Sequence, residues 1–150
     1  SAGVGGALVL DLLHRLRAAP WLGLGGTVGI GVVGGEADTT RVFVPVGASV
    51  VAGLFPGAER RFGVEGRLRG GGWFGAGAWG NAARADLGGG GFVSVGLHAS
   101  VGLGAPDIRD RLRLTLGLDV IRLFGSRPVT LYAPGLSLAW HSATRTTGAP

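Results

Sequence analysis

Between residues 21 and 33 the chain alternates with a period of two. Leu22, Leu24, Val28, Ile30 and Val32 fall on the even positions, with Gly26 among them. Gly23, Gly25, Thr27, Gly29 and Gly31 fall on the odd ones, between Trp21 and Val33. Such a period marks a β-strand, whose successive side chains point to opposite faces. One face here is aliphatic and the other nearly bare. The same contrast recurs along the chain, and the second face carries glycine and charge rather than a solvated polar mixture. Strands of this kind suit a closed sheet with an apolar medium outside and a cramped polar interior.

Composition agrees. The chain has 150 residues, which suits one domain, and only 15% of them are charged. A soluble domain averages about 25%. Mean hydropathy is +0.40. Glycine supplies 32 residues without a collagen period, and aliphatic residues sit between the glycines. There is no cysteine, so no disulfide framework, thiolate metal site or lipoprotein anchor is expected. All 14 basic residues are arginine. The net charge of +5 is not a nucleic-acid signal, because the arginines are scattered through apolar strands instead of clustered among exposed aromatics. No charged and apolar leader opens the chain, and Ser1-Ala2-Gly3 suits a terminus left by a signal peptidase.

Eight strand-like segments are expected, at about 4–13, 21–33, 41–54, 61–69, 73–82, 91–104, 111–123 and 130–141. Gly70, Gly71 and Gly72 read as a tight turn between the fourth and fifth. Other turns are placed at Glu36 to Asp38, Pro56-Gly57, Asn81 to Asp86, Pro106-Asp107 and Gly125 to Pro128. Residues 1–141 would form the barrel and 142–150 a polar tail. At ~3.3 Å per residue and a tilt near 45°, about ten residues cross a bilayer core. The segments have that length, whereas soluble strands usually have about five or six residues. Pro45 and Pro134 fall inside strands, where a closed sheet offers no free edge for a missing N–H.

The aromatics fall near segment ends. Trp21, Phe55, Trp73, Trp79, Phe124, Tyr132 and Trp140 are the expected interfacial girdle, with Phe43, Phe62, Phe74 and Phe92 nearby. With this pattern the chain resembles the small eight-stranded outer-membrane β-barrels, the class of OmpX and the OmpA membrane domain. The resemblance covers about residues 4–141 and rests on alternation, strand length and girdles. Tyr132-Ala133-Pro134-Gly135-Leu136-Ser137-Leu138-Ala139-Trp140 also looks like a barrel-assembly signal, although ten residues follow it. The resemblance implies an all-β, antiparallel up-and-down transmembrane barrel of about eight strands in the bacterial outer membrane, although the short connections on both rims depart from the long outer loops usual in that class. Membrane lipid, lipopolysaccharide, the barrel-assembly machinery and a larger envelope complex are the partners it suggests.

Three groups of residues carry candidate chemistry. Asp11, Glu65 and Asp119 share the glycine face with Arg67, Arg69 and Arg113. They should pair in a narrow lumen, since an isolated buried charge costs several kcal/mol, leaving a plugged barrel with no open pore. With the N-terminus assigned to the periplasm, Arg15, Arg17, Arg60, Arg61, Arg84 and Arg127 occupy the outer rim, against Glu59 and Asp86. Their forked guanidinium groups suit lipid phosphates. The inner rim then holds Arg41, Arg109 and Arg111 against Glu36, Asp38, Asp107 and Asp110. His98 and Ser100 share a strand face as a base and a nucleophile would, with Asp110 or Asp119 to orient the histidine. That pair resembles the His-x-Ser of the outer-membrane lipid A deacylases, but Val101 follows where an Asn is usual.

No metal-ligand spacing and no cofactor motif emerges. Gly29 to Gly34 matches a dinucleotide fingerprint by letter, yet it lies inside a strand instead of opening a helix. The expected function is structural, anchoring or accessory in the cell envelope. The alternatives are a barrel enzyme acting on lipid and a soluble barrel with an apolar ligand inside. A membrane helix over 18–35 is disfavoured by its glycine content and its period of two.

Overall fold

The computed structural model describes residues 2–34, 40–57, 60–77, 86–105, 108, 111–126 and 128–142. They form seven strands: β1 (Ala2–Arg15), β2 (Leu22–Gly34), β3 (Thr40–Leu54), β4 (Phe62–Gly77), β5 (Asp86–Gly102), β6 (Leu112–Leu123) and β7 (Val129–Ser142). The strands pair in chain order and close into a barrel. Six seams are antiparallel, and the closing one between β1 and β7 is parallel. An odd number of strands in an up-and-down meander forces this, because the first and last strands point the same way.

The barrel therefore has seven strands where eight are expected from the sequence. The difference lies in β4, which runs unbroken through Gly70, Gly71 and Gly72. The triplet is not a turn but a close approach. A Cβ on Gly71 would stand 2.3 Å from the carbonyl oxygen of Val46, and one on Gly47 2.1 Å from that of Gly70. Only bare backbone lets β3 and β4 come this near. The strand ends instead at Gly77, whose φ of 126° excludes most side chains. The turns placed at Glu36 to Asp38 and Pro106-Asp107 lie outside the described residues. So do residues 78–85 and the tail from residue 143; Ser142 ends β7.

Both prolines are accommodated by local gaps in a ladder. Between β2 and β3 the pairing lapses from Val28↔Val46 to Gly31↔Phe43, on one side of Pro45 only. Between β1 and β7 it lapses from Val4↔Tyr132 to Ala7↔Gly135, beside Pro134. Each ring sits where its strand has no hydrogen bond to donate.

The register fixes the shape. Following paired residues round the wall leads from Leu12 through Gly26, Ala48, Gly70, Val93, Arg122 and Thr130 to Ala2, ten residues back along β1. With ~3.3 Å per residue and ~4.8 Å between strands, this stagger tilts the strands by roughly 45°. An even stagger also keeps the two faces consistent across the parallel seam.

Those faces are sharply unlike. Leu97, Leu116 and Leu118 point outward and are 65%, 61% and 70% exposed, and outward leucines, valines and isoleucines populate every strand. Asp11, Glu65 and Arg113 point inward and are 0% exposed. The informative departures from an ordinary globule are buried charge and a broad exposed apolar surface, and this fold has both. Among the described residues no helix is long and apolar enough to cross a membrane. Residues 22–34, weighed above as a helix, form β2.

Candidate functional site

The lumen is the only place where the fold gathers polar chemistry among the described residues, and it is layered. The end where β1 starts is called proximal, the end where it finishes distal. The proximal third is apolar: Phe43, Trp73, Phe92, Leu123 and Leu131 pack together with smaller neighbours. Trp73 donates its indole N–H to the carbonyl of Phe124 at 3.0 Å. Phe43 lies against Gly31, where a Cβ would stand 2.3 Å from its ring. Three aromatic residues on inward positions therefore form a stopper.

The middle third is ionic. Arg67 of β4 donates to Asp11 of β1 and Ser137 of β7, and its other terminal nitrogen to Glu65 at 2.6 Å. Arg69 donates to both oxygens of Asp11, at 3.2 and 2.9 Å, and to Asp119 at 3.4 Å. His98 Nε2 lies 3.1 Å from each Asp119 oxygen. Thr115 Oγ1 links the histidine Nδ1, at 3.4 Å, to Ser137 Oγ, at 2.6 Å. Bare backbone makes room for this cluster. A Cβ on Gly96 would come within 2.0 Å of one Asp119 oxygen, and a Cβ on Gly135 within 2.2 Å of the other.

The distal third is closed by arginine and one phenylalanine. Arg113 donates to Ser100 Oγ at 2.9 and 3.2 Å and to the carbonyl of Arg60 at 2.8 Å, and stands 3.5 Å from Glu65. The Phe55 ring lies across this mouth, with the guanidinium carbons of Arg113, Arg60 and Arg15 at 4.3, 5.1 and 5.3 Å from its centre. Each cation is attracted to the electron-rich face of the ring. His141 is buried on the same side, against Gly23.

All six residues expected in the lumen network thus meet in one connected cluster of three acids and three arginines. A cavity of about 20 Å³ remains beside Thr27, Ser94, Arg69 and Asp119, room for about one water molecule. Among the described residues, the aromatic stopper, the ionic layer and the Phe55 mouth fill successive levels of the lumen.

The other sequence-derived sites fare differently. His98 and Ser100 do share the inward face, but the histidine bonds to Asp119 and the serine to Arg113; both are buried. Asp110 lies outside the described residues. Trp21, Phe124, Tyr132 and Trp140 are on the outer surface as expected, as are Phe62 and Phe74. Trp73 is not: it faces inward and is 6% exposed. Phe55 folds over the distal mouth instead of outward, and Trp79 lies outside the described residues. The rim assignment also changes. One strand fewer moves every connection after β4 to the other end, so the segments bearing Arg84 and Arg127, themselves outside the described residues, leave from the proximal end. Arg111 joins Arg15, Arg17, Arg60 and Arg61 at the distal end, with Arg15 turned in over Phe55. Thr115, Ser137, Ser49 and Ser94 also line the lumen; none is named in the expected charge network, although parity along the strands places them on its face.

The architecture defines a class: a closed, meandering β-barrel with a charged, filled interior and an apolar exterior. The chain matches no protein family, no curated protein and no solved structure.

Proposed function

We propose that this protein is a small integral barrel of the bacterial outer membrane with a structural, anchoring or accessory role and no open pore. The observation that carries this reading is the inversion of the faces. Leucine and valine cover the outside of all seven strands, and the ion pairs are sealed within. Exposed aliphatic surface on this scale is stable against acyl chains and unstable against water. Two outer aromatic clusters support it further: Phe74, Phe124 and Tyr132 toward the proximal end, and Trp21, Phe62 and Trp140 toward the distal end. The amphipathic rings of Trp21, Tyr132 and Trp140 favour the headgroup levels of a bilayer, and aromatic girdles flank the apolar band of transmembrane barrels.

In this reading the distal rim, with Arg17, Arg60, Arg61 and Arg111, is the side that meets lipid phosphate, lipopolysaccharide included. The barrel-assembly machinery would insert the chain, and the apolar wall would face lipid or a larger envelope complex. A soluble carrier would need the opposite polarity, and a lipid hydrolase would need His98 and Ser100 bonded to each other and open to substrate.

The test is circular dichroism in plain buffer and in detergent micelles, with migration on a detergent gel before and after boiling. A β spectrum only in micelles, together with a band that shifts on boiling, is the expected result. A folded, monodisperse protein in buffer alone would overturn the assignment.

A further inference from the structure

Three features mark the seam between β1 and β7. It alone is parallel. Its ladder, like that of β2–β3 beside Pro45, is broken, here at Gly5 and Gly6, opposite Pro134, which has no N–H for β1 yet pairs normally with Leu118 on its other side. Its two strands are also clasped from the opposite wall, by Arg67 of β4 reaching both Asp11 of β1 and Ser137 of β7.

We propose that this seam accepts an eighth β-strand from another polypeptide. Because β1 and β7 run the same way, one strand laid between them from the distal to the proximal end is antiparallel to both. It exchanges one interrupted parallel ladder for two antiparallel ones, the more stable pairing per residue. Main-chain hydrogen bonds supply the affinity, and alternating side chains the specificity. The inward positions along the middle of β7 define the guest. They are Ala133, Gly135, Ser137 and Ala139, all small and buried. The guest therefore carries glycine, alanine or serine on its inward face and leucine or valine outward. Widening the wall separates Ser137 from Arg67, so that hydrogen bond is given up while Arg67 keeps Asp11 and Glu65.

The chain has no cysteine, so a disulfide can report the seam directly. Leu8 and Leu136 oppose each other across it on the outer face; Val64 and Ala99 do so across the ordinary β4–β5 seam. The double variants Leu8→Cys/Leu136→Cys and Val64→Cys/Ala99→Cys are refolded with a fluorescent peptide of about ten residues alternating leucine with glycine and serine, then oxidised. The expected result is loss of the β1–β7 disulfide as peptide enters the heat-shifted band, one per barrel, with the β4–β5 disulfide unchanged. Oxidising the Leu8/Leu136 variant first should abolish capture. An undiminished seam disulfide with no captured peptide would overturn the proposal. So would equal capture of a scrambled peptide, or a dimer of whole barrels in place of capture. The experiment runs in whichever medium the barrel folds, so its failure is read separately from failure of the membrane assignment.

Discussion

Asp11 shows how tightly single residues are bound to one another inside this barrel. It accepts hydrogen bonds from Arg67 and Arg69, and it is completely buried. Removing one member of such a pair strands the other's charge away from water, at a cost of about 3–5 kcal/mol. Asp11→Asn should therefore lower the unfolding free energy by that amount, as read by urea titration of the reconstituted barrel; an unchanged midpoint would mean that water reaches the cluster. Gly96 tests the same cluster by volume. A Cβ there would press on Asp119, which His98 and Arg69 hold in place. Gly96→Ala should cost about 1–3 kcal/mol by overpacking, and it should perturb the His98 ring resonances in an NMR spectrum. The membership of this cluster was legible from parity alone, because a period of two leaves each residue only one face to occupy. The partner choice was not. Whether His98 meets Ser100 or Asp119 depends on the register between β5 and β6, where His98 opposes Gly117 and Asp119 opposes Gly96.

At the scale of the element, β4 is the instructive strand. A run of three glycines has two physical meanings: it permits a turn, and it permits two backbones to approach. Sequence periodicity does not separate them, because both remove side chains from the pattern. The register with β3 decides, since Gly47 faces Gly71 directly. Gly71→Ala should accordingly destabilise the barrel by about 1–3 kcal/mol, measured by its unfolding midpoint; a tolerant site would restore the turn. The aromatic residues show a related ambiguity. Proximity to a strand end suggested a girdle for Trp73, yet position along a strand says nothing of the face. Parity does, and Phe43, Trp73 and Phe92 have the parity of the lumen.

For the whole molecule, depth in the bilayer should govern the effect of an outward charge. Leu116 sits mid-strand in β6 and Leu54 at the distal tip of β3, and both are exposed. In phospholipid vesicles Leu116→Arg should cost about 2–4 kcal/mol and Leu54→Arg about 0–1. In a protein folded in water the two would be alike. The stopper and the Phe55 mouth also predict silence in planar bilayers: reconstituted barrel should show no stepwise current, and regular conductance steps would contradict the filled lumen. The odd strand count has a last consequence. A barrel with an even number of strands returns its chain to the side it left. Here β1 sets out from one end and β7 finishes at the other, so in the proposed membrane setting the backbone would enter from one compartment and exit into its opposite. A tag joined ahead of Ala2 and one joined behind Ser142 would then be cut by proteases on different sides of the same membrane, and the barrel would act as a threaded rivet with a separate handle on each face.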